Sequence, residues 1–180
     1  MSETSKASSR FSTALRWGLL GGLVSVVVSV LAMWLGWRGL PVVDTAESVI
    51  WYVQGAVVNA AFLILGLRAY RAGNGGYVSF GNAFGFGILL LLVIMICNAI
   101  YLYGYIELYL PDYEEQALAA VRKSFEAQGL GPEEVERQQP LLEAVTNREM
   151  FVVSGFLNAL IGNAILALIG AAALKRDRPD

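Results

Sequence analysis

Long apolar stretches that carry no charged residue dominate the pattern of this sequence. Each is at least as long as the roughly 20 residues with which an α-helix crosses a bilayer. A buried helix of a soluble protein would show polar positions recurring about every 3.6 residues, and residues 19–35 and 88–96 show no such recurrence. The pattern therefore predicts four membrane-spanning helices, at about residues 17–37, 48–67, 81–106 and 150–174.

The connection between the third and fourth predicted spans, residues 107–149, is long and acidic. Pro111 starts an amphipathic helix that is predicted to end near Gly129, and further helical segments are predicted to begin at Pro132 and Pro140. The acids favour a solvated negative face over a cation site, because lysine and arginine are disfavoured on the non-cytoplasmic side of a membrane. We predict an all-α fold: a single-domain integral membrane four-helix bundle, residues 1–180, with a small extracytoplasmic helical segment.

The basic residues are unevenly divided between the two sides of the predicted bundle. Eight of the 13 lie before the first span, between the second and third, or after the last. The other five are spread over the opposite connections, together with ten acids in residues 107–149. Because Lys and Arg accumulate on the cytoplasmic side, both termini are predicted to be cytoplasmic. The predicted location is the cytoplasmic (inner) membrane. A signal peptide is less favoured, since 16 residues precede an apolar core of 21.

The composition narrows the chemistry of the chain. Hydrophobic residues make up 56% of it and charged residues 16%, with a net charge of −2, so nucleic acid is not indicated as a partner. Histidine is absent and Cys97 is the one cysteine. This inventory excludes His-ligated haem, Cys/His zinc sites, internal disulfides and Cys–His nucleophile pairs. We predict no cofactor, no metal, no catalytic residue and no enzymatic activity, with the lipid bilayer as the partner.

Small residues are spaced for close helix packing. Gly18 and Gly22 lie four residues apart in the first predicted span, and Gly81 and Gly85 repeat this spacing at the start of the third. Such residues let neighbouring helices approach closely. Packing within one bundle is favoured over a dedicated dimer seam, because the spacing alone is a weak signal of dimerisation.

Amide side chains lie inside the predicted spans and form a predicted polar seam of Asn59, Asn98, Asn158 and Asn163. One interpretation is that these amides hydrogen-bond across helices, which is the usual role of an amide in hydrocarbon. The alternative is a path for a small molecule between spans two, three and four. Transporters and proton pumps normally place a charged residue in such a path, so a coupled pump is not favoured.

A glycine-rich turn precedes the third span, with the sequence Gly75-Gly76-Tyr77-Val78-Ser79-Phe80-Gly81-Asn82-Ala83-Phe84. It predicts a connector, with positive φ at glycines and Ser79 as helix N-cap, in preference to an anion site. This block, followed by Tyr105-Ile106 and Pro111-Asp112-Tyr113, resembles the hallmark of a family of four-span bacterial membrane proteins defined as a domain of unknown function. The resemblance covers Arg16 to Arg176 and implies four spans and an acidic extracytoplasmic segment, but no activity.

Two functional hypotheses follow from these observations. The leading one is a non-enzymatic accessory or structural membrane component, acting as a homo-oligomer or as a subunit of a larger envelope complex. It is motivated by the small-residue spacing, the helical segment outside the membrane and the absence of a catalytic set. The alternative is a small transporter or channel component that uses the predicted polar seam.

Overall fold

The computed structural model describes residues 3–37, 45–127 and 146–177 and isolated positions between 129 and 142; side chains are described from residue 10 in the first range and from residue 49 in the second. The helices with described bounds are α1 (Glu3–Trp34), α2 (Thr45–Gly73), α3 (Phe80–Tyr109), α4 (Tyr113–Ala127) and α5 (Arg148–Leu174). No strand occurs in these ranges, where one isolated antiparallel bridge joins Val78 to Arg176. The predicted all-α class is confirmed.

Four of these helices are long and apolar enough to cross a membrane, as expected of a multi-pass membrane protein. The segments concerned are Arg10–Trp34, Val49–Gly73, Phe80–Tyr109 and Arg148–Leu174. The remaining helix, α4, is the amphipathic helix predicted to start at Pro111. Gly129, with a φ of 82°, follows the end of α4. The segments predicted to begin at Pro132 and Pro140 lie largely outside the described residues.

Glycines with positive φ follow the ends of two of the long helices. The first predicted span extended to Trp37, but α1 ends at Trp34 because Gly36 takes a φ of 69°. The amide of Trp37 donates to the carbonyl of Ala32, and the amide of Gly36 donates to that of Met33. This pair of bonds is the Schellman arrangement, which satisfies carbonyls that the helix leaves free.

The same device ends α2 in the glycine-rich turn. Gly75 has a φ of 70°, and the amides of Gly75 and Gly76 donate to the carbonyls of Ala72 and Arg71. Positive φ at glycines of this turn was predicted and is confirmed. The turn reverses the chain and leads directly into α3.

The central helix of the bundle is α3, which contacts α1, α2 and α5. Alternating directions make α1 parallel to α3 and α2 parallel to α5. One end of the bundle, here called the basic end, contains Arg10, Arg16, Arg68, Arg71, Lys175 and Arg176. The opposite end carries α4 and is called the cap end.

The main hydrophobic core lies in the half of the bundle next to the basic end. Phe86 and Leu90 of α3 are fully buried there, between Leu63 and Leu67 of α2 and Ala167 of α5. Small residues on α5 bring its backbone close to α2 and α3, so three helices share one tightly packed region. A separate cluster lies at the cap end and consists of Ile106, Tyr113 and Ala117, with Leu102, Leu110, Phe151 and Val152 packed against it.

Candidate functional site

Asn59 and Asn163 form a hydrogen-bonded amide pair between α2 and α5. The Nδ2 atom of Asn59 donates to Oδ1 of Asn163 over 2.9 Å. Asn163 is 7% exposed, and its own Nδ2 atom is buried with no hydrogen-bond partner among the described residues. The pair lies near the middle of the spans, about 15 Å along α2 from Val49 at 1.5 Å per residue. The pair therefore joins α2 to α5 and leaves Nδ2 of Asn163 without an acceptor among the described residues.

Asn98 on α3 is bonded to a different helix. Its Oδ1 accepts a hydrogen bond of 2.9 Å from the Ser25 hydroxyl of α1, and its Nδ2 donates to the carbonyl of Ile94 one turn back. Ser25 is buried, and four residues later the buried Ser29 accepts a hydrogen bond of 3.2 Å from Nε2 of Gln54 on α2. The two serines of α1 therefore connect it to both neighbouring helices.

Asn158 differs from the other members of the predicted polar seam. It lies on an exposed part of α5, and its side chain makes no hydrogen bond within the part of the chain that the structure describes. The structure brings Asn59 and Asn163 together and places Asn98 against Ser25 instead. Sequence reasoning did not identify the hydrogen bonds that Ser25, Ser29 and Gln54 make. The four-residue spacing of the two serines did place them on one face of α1.

The predicted packing glycines separate into two groups. A Cβ atom at Gly18 would lie 2.7 Å from Cβ of Val93, and one at Gly22 would lie 2.6 Å from Cβ of Cys97. Both glycines therefore let α1 approach the central helix closely. Gly81 has nothing within 4 Å of such an atom, and Gly85 has only an Arg10 nitrogen at 3.7 Å. Sequence reasoning missed four further close approaches, at Gly21, Gly66, Gly87 and Gly170.

The glycine-rich block lies where α2, α3 and α5 meet at the basic end. Val78 and Arg176 exchange two backbone hydrogen bonds of 2.9 Å, and the Arg176 guanidinium lies 5.8 Å from the centre of the Tyr77 ring. An Nη atom of Arg71 donates to the carbonyl of Leu174 over 3.4 Å. The block thus attaches the end of α5 to the α2–α3 turn.

Ser79 and Phe80 begin the third span in this block. Ser79 is the N-cap residue of α3, as predicted, with extended backbone but no side-chain capping bond. The Phe80 ring stacks on Phe84, one turn further along the helix, at 6.2 Å. Gly76, with a φ of 88°, needs the conformational freedom of glycine.

At the cap end, Arg148 connects three elements. Its guanidinium forms an ion pair with Glu107 at the end of α3 and lies 3.5 Å from Glu114 on α4. Asn147 caps α5 by accepting hydrogen bonds from the amides of Glu149 and Met150. These contacts hold α4 over the ends of α3 and α5.

Tyr113 fills the space beneath α4. Its ring is 2% exposed and packs at 5.6 Å against Phe151 of α5. Burial, with a smaller contribution from the neighbouring Glu114 carboxylate, raises the pKa of the Tyr113 phenol from 10.0 to about 12. The phenol therefore stays neutral at physiological pH, and its role here is packing.

The cap-end carboxylates and the Cys97 thiol lie apart from one another along the bundle. Glu107 and Glu114 face a cation that neutralises them, and Cys97 is partly buried against Gly22. Among the described residues no group of three or more Cys, His, Asp or Glu side chains converges on a metal position. Ser25, Gln54 and Asn59 donate hydrogen bonds that join different helices, whereas Asn158 has no such bond among the described residues.

Comparisons with known proteins give a family but no activity. Residues 16–176 match the model of a family described as "Protein of unknown function (DUF4199)". No curated protein and no solved structure matches the chain.

Proposed function

The chain belongs to the DUF4199 family of proteins of unknown function, and from this premise we propose that it is a non-enzymatic accessory protein of the cytoplasmic membrane. It acts as a homo-oligomer or as a subunit of a larger envelope complex. The observation that carries the proposal is the use of the polar side chains within the spans. Ser25, Ser29, Gln54, Asn59 and Asn98 all make hydrogen bonds, and the bonds from Ser25, Gln54 and Asn59 join different helices.

A second observation supports assembly with other subunits. In the half of the bundle next to the cap end, α2 and α5 are covered by few contacts: Val53 and Val57 of α2 are 55% and 63% exposed, and Leu157 of α5 is 55% exposed. Next to them, the Arg148 ion pairs join α4 to α3 and α5, and α4 offers exposed side chains such as Gln116 that other envelope proteins can contact.

The test is crosslinking in intact membranes. A photo-reactive residue replaces Gln116, which is exposed on α4, and the products are identified by mass. We expect a defined larger complex or a self-dimer. The matched control carries the same residue at Gly81, exposed at the basic end, and should give a different set of products. If both probes return only the lone chain, the accessory function is wrong.

We propose that the termini and the basic end face the cytoplasm. The six described basic residues at that end support this orientation, because such residues remain on the cytoplasmic side. In a Cys97→Ala background, a cysteine at Gln116 should react with a membrane-impermeant maleimide on spheroplasts, whereas one at Gly81 should react only after lysis. The opposite labelling pattern would invert the topology.

The alternative function is a small transporter or channel component. It is favoured by the unpartnered Nδ2 of Asn163, a buried donor near the middle of the membrane beside Asn59. An uncharged amide site suits a neutral hydrogen-bonding solute, for which glycerol and urea are simple probes. Proteoliposomes should show faster light-scattering recovery than empty vesicles, and Asn163→Leu should abolish the difference while the protein stays folded. Equal recovery in loaded and empty vesicles argues against this function for these solutes.

A further inference from the structure

Beyond its first turn, the cap-end half of α5 has almost no partner within its own bundle. Of the ten consecutive residues 153–162, nine are exposed, and Phe156 is half-buried. Val153 and Ile161 are 51% and 64% exposed. Further along the same helix, Asn163, Ala167 and Ala171 are buried against α2 and α3. The helix is therefore well packed in one half and open in the other.

An amide lies in this open segment. Asn158 follows Arg148 by ten residues, which places it about 15 Å along the helix and within the ~30 Å hydrocarbon layer. Six amide side chains lie in the described spans, and Asn82 and Asn158 are the two without a side-chain hydrogen bond to any described residue. Asn82 is the third residue of α3, at the basic end, whereas Asn158 lies deep in its span. Acyl chains offer it neither donor nor acceptor, so the uncovered amide is unfavourable in lipid.

The residues one turn away on either side leave room for a second helix. Ser154 and Gly162 lie four residues before and after Asn158, on the same face of α5, and all three are exposed. The Ser154 hydroxyl already donates to the carbonyl of Phe151 within its own helix. A Cβ atom at Gly162 would meet nothing within 4 Å. Another backbone can therefore approach the amide closely.

A second copy of this chain fits that face. Two copies inserted with the same topology are related by an axis along the membrane normal, so each residue meets its counterpart at the same depth. An asparagine amide carries both a donor and an acceptor, so Asn158 and the Asn158 of the second copy can each donate to the other. A different partner would need a polar side chain of its own at this depth, whereas a second copy supplies one by symmetry.

We propose that two copies of the chain associate through the cap-end half of α5, with Ser154, Asn158 and Gly162 at the contact and the two Asn158 amides hydrogen-bonded to each other. This inference rests on the proposed accessory function and names its contact surface. The dimer contact buries the exposed polar face of α5 and leaves α1 facing lipid.

The experiment measures dimerisation of the full-length protein in vesicles of phosphatidylcholine and phosphatidylglycerol. Donor- and acceptor-labelled protein is mixed, and energy transfer is followed as protein density is lowered. We expect the wild type to dimerise. Asn158→Leu and Gly162→Ile should each raise the dimer dissociation constant about five-fold or more, the range expected for one interhelical amide bond or a blocked close approach.

Two controls separate the contact surface from general effects. Asn158→Gln retains the amide and should keep the dissociation constant within about two-fold of wild type. Gly104→Ile introduces the same bulk at another open glycine, on α3, and should also leave it unchanged. Circular dichroism should show wild-type helicity in every variant, because neither Asn158 nor Gly162 is packed within the protomer.

The outcomes distinguish this inference from the function on which it rests. If the wild type dimerises and both α5 variants dimerise equally well, the α5 contact is wrong while homo-oligomerisation stands. If the wild type stays monomeric at every density, the dimer is wrong, and the accessory function then depends on whether crosslinking in native membranes recovers another protein.

Discussion

In the half of the bundle next to the basic end, α2 and α5 pack onto α3 through apolar side chains, whereas in the cap-end half the same two helices are largely exposed. Leu63, Phe86, Leu90 and Ala167 are no more than 1% exposed in the first region, while Val57 and Leu157 exceed 50% in the second. There, the hydrogen bond from Gln54 to Ser29 joins α2 to α1. An apolar span can therefore be well packed in one half and exposed in the other.

The largest effect is expected from filling the close approach between α1 and α3. Gly18→Ile combined with Gly22→Ile forces methyl groups against Val93 and Cys97, so the two helices must separate. We expect the free energy of unfolding to fall by about 3 kcal/mol or more, since overpacking costs about 1–3 kcal/mol per site. SDS titration in mixed micelles, followed by circular dichroism, measures this change.

The matched control for this variant is Gly55→Ile. Gly55 is a half-buried position in the cap-end half of α2, with nothing within 4 Å of a built Cβ atom. Its substitution should change the unfolding free energy by less than about 1 kcal/mol. Equal destabilisation by both changes would contradict the close approach of α1 to α3 and the open surroundings of Gly55.

The cap end should respond to alkaline pH through Tyr113. Because the folded-state pKa is about 12 and the ordinary value is 10.0, the folded state holds the phenol proton more tightly. The associated stability is fully present below pH 10 and is lost as pH rises towards 12. At about 1.4 kcal/mol per pKa unit, the loss amounts to roughly 2–3 kcal/mol.

Hydrogen exchange of the α4 amides, relative to the free-peptide rate at each pH, follows this loss. The Tyr113→Phe variant keeps the ring packing against Phe151 but has no ionisable group, so its protection should not decline through this pH window. Parallel declines in the variant and the wild type would remove Tyr113 as the cause.

Truncating the buried core should destabilise the protein more than truncating the exposed half. Phe86 is fully buried and stacks on Tyr70 at 4.7 Å, so Phe86→Ala leaves a cavity. We expect a loss of about 2 kcal/mol, below the value for soluble proteins because the unfolded helices remain in lipid. Leu157→Ala, at a 55% exposed position, should cost less than about 0.5 kcal/mol in the same titration.

The smallest effect concerns the hydrogen bond between Ser25 and Asn98. A double-mutant cycle with Ser25→Ala and Asn98→Leu should give a coupling energy of about 1 kcal/mol, in line with interhelical hydrogen bonds in membranes. The same cycle between Ser25 and Asn158 should give a coupling near zero in the monomer. A larger coupling in the second cycle than in the first would contradict the helix arrangement described here.

Much of the fold could be predicted from the sequence. Four apolar stretches and the lack of internal charges are sufficient to predict the four long helices, because a membrane admits few other structures for such segments. Helix ends were less predictable: the first span was extended to Trp37, although Gly36 ends the helix earlier through its positive φ. The predicted N-cap at Ser79 was correct in position but lacks the side-chain bond.

The pairing of polar groups was the least predictable part of the site. Asn98 and Asn163 could be listed as polar positions within spans, but their partners, Ser25 and Asn59, lie on helices distant in sequence. Glu107 could be recognised as a surface acid, yet only the folded chain brings Arg148 to it.

The sequence by itself determined that this protein is a multi-pass helical membrane protein, because the free energy of placing a segment in a bilayer is nearly a sum over its own residues. Only the tertiary structure decided which glycines meet a neighbouring helix and that Asn158 is left on the bundle surface without a partner in its own protomer. Those outcomes depend on the rotation and register of each helix against the others, which the packing of all the helices fixes together.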